Sequence, residues 1–392
     1  MPFPKTILNS YLYNLPDEKI AYEPKEKRDH SKLLAYANKE IKEYSFNQLT
    51  GLLKSSDSLF FNNSKVIPAR IHFVKETGAV IEIFLLEPEN KEYTSLYSKG
   101  KSTWKCLIGN KKRWKEGDLK LSLTNSTLKV RWVNRDENLI EFSWEGDCYF
   151  TNILNEAGKI PLPPYIKRDS REEDNDNYQT VYAKQEGSVA APTAGLHFTP
   201  ELIKEIEAKG IDKQEVTLYV GAGTFKPVTV HDASDHDMHT EKFSVTKKAL
   251  LSLLNKKGRT VGVGTTSVRV LESLYWMGIK LLNENNNPFF INKEDAYRLK
   301  EIEVKKSLNA ILEYMENKEL DCLSGETGIF IVPGYNFKMV DVLITNFHQP
   351  GSTLIMLVAA FIGEDWKKVY DFALHNNYRF LSYGDSSILE RF

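Results

Sequence analysis

Groups that can move protons and residues small enough to admit a ligand occur together at three places in this chain. Residues 187–225 read GSVAAPTAGLHFTPELIKEIEAKGIDKQEVTLYVGAGTF, with His197 where a loop meets a helix and Gly221-Ala222-Gly223 after a short strand. Ala190, Ala191, Thr193, Ala194 and Gly195 crowd the approach to His197. Small residues in such number serve where backbone must come close to another element or to a ligand. Gly264-Thr265-Thr266-Ser267 and the run from Thr345 through Asn346, Phe347, His348 and Ser352 to Thr353 share that layout. Each sets small polar residues at a helix N-terminus, the last two directly after a strand. In open α/β sheets, ligands bind beyond the carboxyl ends of the strands, where free N–H groups and helix dipoles point outward. Such a crown suits a ligand carrying carboxylate, hydroxyl and purine groups. It lacks the GxxxxGK[ST] lysine of a nucleotide phosphatase.

Two further runs carry chemistry. His236-Asp237-Met238-His239-Thr240-Glu241 invites a metal reading, but an HxxH in a loop lacks the helix and glutamate of HExxH, and no metal is expected. Asn110-Lys111-Lys112-Arg113-Trp114-Lys115 is the densest basic run with an aromatic residue, either a solvated turn or an RNA contact.

The elements that must position these groups follow from local signals. Thr199 is a helix N-cap, Pro200 the first helical residue, and Gly210 the residue after the last turn. Val216, Leu218 and Val220 alternate as a strand. Thr260–Gly264 predicts a strand leading to a helix over 268–277. Residues 329–332 and 339–344 predict two more strands, the second leading to a helix over 353–362 that is apolar all round and hence buried. Residues 378–387 predict a last strand running into a turn, and Ser307 a helix cap. Asp169–Asp176 predicts a solvated acidic loop. Over 69–148 the texture changes to short alternating strands, a small antiparallel barrel or sandwich. The expected architecture is therefore α/β and multidomain: a discontinuous α/β domain (1–68 and 149–392) with an inserted β domain (69–148).

Composition sets the bounds. At 392 residues the chain is too long for one ordinary core, and a net charge of −1 argues neither for nor against a polyanionic partner. Three scattered cysteines without a CxxC pair fit a reducing compartment. The N-terminus shows no signal-peptide pattern, and the longest apolar run is half of what a membrane span needs. The expectation is a cytoplasmic, soluble monomer that binds no membrane.

Several of these blocks closely resemble the S-adenosylmethionine:tRNA ribosyltransferase-isomerase family of queuosine biosynthesis. They are 187–199, 216–225, 236–241, 263–269, 345–350, 352–358 and Tyr383-Gly384-Asp385, with 61–70 similar to the family's N-terminal signature. They are collinear and cover almost the whole chain. The resemblance implies an α/β sandwich domain with an inserted antiparallel β-barrel, and S-adenosylmethionine as a ribosyl donor. It implies as acceptor the amine of 7-aminomethyl-7-deazaguanine at the wobble position of a tRNA. The products are epoxyqueuosine, adenine and methionine. A non-catalytic or acceptor-altered relative is the alternative.

That chemistry needs a base for the ribose 5′ proton and an acid for adenine. His197, His239, Glu241, His348 and Asp385 are the candidates. Thr193, Gly195, Gly221, Gly223, Thr224, Phe225, Thr265, Thr266, Ser267, Arg269, Asn346, Ser352, Thr353 and Tyr383 are expected to form the S-adenosylmethionine pocket. Lys111, Lys112, Arg113 and Lys115 are the candidate RNA contacts. Residues 278–325 lengthen the chain relative to compact members, as an edge helix, an added RNA contact or a lid.

Overall fold

A computed structural model describes residues 3–221, 223 and 228–391. The expected Thr224 and Phe225 contacts therefore lie outside the described residues. A ten-stranded sheet runs through the centre. Its order is Phe290–Ile291, Cys322–Thr327, Glu241–Thr246, Asp212–Leu218, Ser58–Asn62, Thr260–Val263, Val342–Asn346, Ser386–Glu390, Lys32–Ala37 and Glu40–Ser45. The four central strands, from Asp212–Leu218 to Val342–Asn346, are parallel. Ser58–Asn62, Thr260–Val263 and Val342–Asn346 are buried along their whole length and largely apolar on both faces, as a sheet covered on both sides requires. Leu59, Phe61, Val261, Val263 and Ile344 pack with the helix Pro200–Ala208 on one side. Phe60 and Leu343 face the helices Gly264–Leu282, Thr353–Ile362 and Asp365–His375 on the other. The fold is a three-layer α/β sandwich.

A second sheet of seven antiparallel strands is drawn from Arg70–Ser143 plus Gly158–Lys159. It curls into a half-barrel around its own core of Phe73, Ile83, Trp104, Trp114, Val130 and Phe142. That core continues into Phe150 and Leu154 of the helix Phe150–Ala157. The half-barrel meets the large sheet where Tyr93 stacks on Tyr219, with ring centroids 4.0 Å apart, and where Lys242 pairs with Glu92 and Lys91 with Glu326.

Several elements differ from the sequence expectation, each for a stated reason. Residues 338–340 join no strand because their N–H groups donate to the buried carboxylate of Glu272; the strand starts at Val342 instead. Residues 329–332 form no strand: the N–H of Ile329 donates to Thr327 Oγ1 and that of Val332 to Tyr297 Oη. The C-terminal strand begins only at Ser386, because Asp385 Oδ2 takes the N–H of Arg379 and bends the preceding chain. Ser307 is no cap. It lies buried inside the helix Val304–Asn317, donating to the carbonyl of Tyr275. Asp174, expected in a solvated loop, is 1% exposed and held by Arg168. Residues 278–325 supply two edge strands and that helix, packed along Gly264–Leu282. Among the described residues, no helix is long and apolar enough to cross a membrane.

Candidate functional site

The carboxyl ends of the parallel strands open onto a cleft of about 730 Å³, open to solvent. All three small-residue junctions line it. Gly264 has φ +85°, a left-handed conformation that only glycine adopts freely, and turns the chain from strand into helix. Thr265 and Thr266 then sit at the helix mouth, and Asn346, His348 and Ser352 face them from the neighbouring junction. Thr193, with Ala190, Ala191 and Ala194, closes the third side. Ser352 caps the helix Thr353–Ile362 by accepting the N–H of Ile355 at 3.3 Å. The Thr266 hydroxyl is buried with no hydrogen-bond partner among the described residues. An orphaned hydroxyl at a helix mouth is a place where a ligand oxygen or nitrogen fits.

This wall is neutral. His348 Nε2 lies 2.9 Å from Thr345 Oγ1, and burial pushes its pKa down to about 3. His197 stands behind Asn346. Its Nε2 lies 3.0 Å from Asn346 Oδ1 and its Nδ1 2.8 Å from Ser31 Oγ. Asn346 donates its amide hydrogens to the carbonyls of Leu381 and Ser382, so Oδ1 is the acceptor and His197 Nε2 carries the proton. Burial, only partly opposed by Asn346 and Asp385, lowers the His197 pKa to about 4. This histidine aligns Asn346. It borders a narrow crevice with Tyr383 and Arg28, on the far side from the cleft.

A second cleft, of about 1110 Å³ and also open to solvent, lies between the half-barrel and the large sheet. Gly221, Gly223, His239 and Glu241 form its inner end, and Tyr93, Leu107 and Tyr219 its walls. Glu241 is 3% exposed. Burial works against its charge, but Arg269, His239 and the N–H of Gly221 outweigh that and bring its pKa down to about 2. The Arg269 guanidinium, 6% exposed, closes on Glu241 Oε2, while Oε1 accepts the Gly221 N–H at 2.9 Å. The two clefts adjoin at one backbone step, with Val220 lining the first and Gly221 the second.

A family model described as queuosine biosynthesis protein matches residues 8–389. The chain belongs to that family. It is 38% identical, over 98% of its own length and 99% of the relative's, to S-adenosylmethionine:tRNA ribosyltransferase-isomerase from Trichlorobacter lovleyi. The crystal structure of S-adenosylmethionine tRNA ribosyltransferase from Thermotoga maritima is 29% identical, with 97% of this chain and 99% of that one covered and a TM-score of 0.47.

In this member of the queuosine family, the sequence-derived candidates fall into separate groups. Thr193, Thr265, Thr266, Asn346, His348 and Ser352 share the first cleft; Gly221, Gly223, His239 and Glu241 share the second. Ser267 and Arg269 point away from the first cleft: Ser267 donates to the carbonyl of Val263 and Arg269 holds Glu241. Thr353 begins the helix that Ser352 caps. Gly195 makes room for Tyr182, whose Oη would lie 1.9 Å from an added Cβ. Asp385 is 1% exposed and accepts the N–H groups of Lys32 and Arg379. Tyr383 reaches Asp174. Lys111 is tied to the carbonyl of Arg135 and to Asn138, whereas Lys112, Arg113 and Lys115 are exposed around a shallow hollow. Tyr165 and Ser382, bonded to each other on the wall of the first cleft, and Ser31 carried no signal in the sequence. Among the described residues, no group of three potential metal ligands is found.

Proposed function

We propose that the protein transfers and isomerises the ribosyl group of S-adenosylmethionine onto 7-aminomethyl-7-deazaguanine at the wobble position of tRNA, releasing adenine and methionine. The observation that carries this reading is the near-full-length identity of 38% to an enzyme named for that reaction. The first cleft fits such a donor: helix-mouth N–H groups suit a carboxylate, and Thr266 has an unused hydroxyl. When bound, S-adenosylmethionine supplies a ribose activated by its sulfonium. The chain's residues then have definite tasks. Thr265, Thr266 and Ser352 hold carboxylate and hydroxyl groups, and Asn346 is aligned from behind by His197. His348 stays uncharged, so the cleft does not repel the sulfonium. The half-barrel, as a unit inserted over 69–148, and the exposed Lys112, Arg113 and Lys115 carry the tRNA. No metal takes part.

The test mixes protein, S-adenosylmethionine and tRNA bearing 7-aminomethyl-7-deazaguanine, and follows adenine release and epoxyqueuosine in the tRNA. Stoichiometric adenine and modified tRNA are expected. An authenticated substrate that yields neither would refute the reading.

A further inference from the structure

The second cleft has features that the donor site leaves unexplained. His239 Nε2 lies 3.4 Å from Glu241 Oε1. Arg269 holds the other carboxylate oxygen, Oε2, and the Gly221 N–H donates to the same Oε1 that faces the imidazole. Of the two neutral tautomers, the one protonated at Nε2 sets its proton toward this carboxylate and its lone pair on Nδ1. Backbone at Gly223 lies against the same ring, 2.6 Å from where a Cβ would stand, yet 28% of the side chain is exposed. The imidazole thus packs on Gly223 and faces Glu241 at ion-pair distance, its Nε2 making no hydrogen bond among the described residues, and it is still reachable. Leu107 and the mutually stacked rings of Tyr93 and Tyr219 supply aromatic and apolar surface in the same cleft. Val220 lines the donor cleft and the next residue, Gly221, lines this one.

We propose that this second cleft takes the acceptor nucleotide, and that His239, oriented by Glu241, removes a proton from its aminomethyl ammonium. The inference rests on the reaction proposed above. An alkylammonium has no lone pair and cannot attack carbon. The transfer breaks one N–H bond of the ammonium and forms Nδ1–H on the imidazole, leaving a neutral amine and an imidazolium beside Glu241. The amine's lone pair is then available for the ribosyl carbon, and the imidazolium returns its proton to water. Other charged groups around His239 are His236 on the preceding loop, Arg269 on the helix, Lys242 and Glu326 on the adjoining strands, and Lys91, Lys105 and Glu87 on the half-barrel.

The experiment uses the full chain with S-adenosylmethionine and the same modified tRNA, comparing wild type with His239→Gln, His239→Ala and Leu107→Arg. For His239→Gln, kcat for adenine release should fall about 100-fold or more at pH 7, with affinities for S-adenosylmethionine and tRNA within about threefold of wild type. The deficit should shrink about tenfold per pH unit up to pH 9, because the substrate supplies its own free amine. Added imidazole should restore part of the rate of His239→Ala. Leu107 is 42% exposed, so Leu107→Arg should fold normally. It should raise KM for tRNA about tenfold and leave S-adenosylmethionine affinity unchanged. Near-normal kcat in His239→Gln, a deficit constant with pH and unrescued by imidazole, or an unchanged KM in Leu107→Arg overturns the inference alone, provided wild type turns over. Wild-type protein that releases no adenine overturns the underlying reading, and this inference with it.

Discussion

The two clefts touch at one backbone step and are built on opposite principles. The first is walled by backbone N–H groups, hydroxyls and His348, with His197 behind Asn346, both histidines kept neutral by burial. The second is anchored by a buried ion pair, Arg269 with Glu241, and rimmed by exposed lysine–glutamate pairs. The difference is one of how order is secured. Neutral groups cost little to bury once hydrogen-bonded, whereas a buried charge is tolerated only while its partner is present.

Removing that partner gives the largest expected effect. Arg269→Met should destabilise the fold by about 3–5 kcal/mol in urea unfolding, and adding Glu241→Gln should recover much of the loss. A small loss in the single variant would mean that Glu241 is not held by charge, and the contrast would fail.

Acid should separate the clefts next. His197 and His348 titrate near 4 and 3 in the folded chain, below the usual 6.5. Between those values the unfolded chain binds more protons, so stability falls as pH drops from about 6.5, by up to ~3 kcal/mol for His197 and ~5 kcal/mol for His348. Glu241, with its pKa near 2, contributes stability that is intact above about 4.5 and lost only below it. Unfolding midpoints at pH 7, 5.5 and 4.5 should thus decline, and His197→Gln should flatten the decline. A flat profile in wild type would show that these histidines are not neutral in the fold.

Gly195→Ala would force a Cβ against Tyr182 and should cost about 1–3 kcal/mol, partly relieved by Tyr182→Phe in the same unfolding assay. Thr266→Val should change stability by less than about 0.5 kcal/mol. Calorimetry should show it weakening S-adenosylmethionine binding by about 1 kcal/mol; a marked loss of stability would give the hydroxyl a structural role instead. The smallest effect is expected at Lys112, Arg113 and Lys115. Neutralising each should lower the salt dependence of tRNA binding by about 0.7 in log–log slope, and an unchanged slope would remove that residue from the RNA contact.

The junctions were legible in the sequence because their signals are local. A cap, a glycine and a run of small residues mark a helix mouth wherever it ends up, and Gly264, Thr266 and Ser352 stand where such signals put them. What stayed hidden depends on residues far apart in the chain. His197 reads as an acid–base group until Ser31 and Asn346 are found on its two nitrogens. Arg269 reads as a ligand contact until Glu241 is found beside it. The strand expected at 339–344 shortened because Glu272, on a helix, takes the N–H groups that a ladder would have used. The family resemblance supplied the substrates; that the candidates part into two clefts is seen only in the fold.

The line from Ser31 through His197 to Asn346 joins an early, a middle and a late part of the chain. During synthesis from the N-terminus, the donor cleft cannot exist until the final strand-to-helix junction has been made. A chain released early, even with most of its sheet, would have neither Asn346 nor the wall behind it.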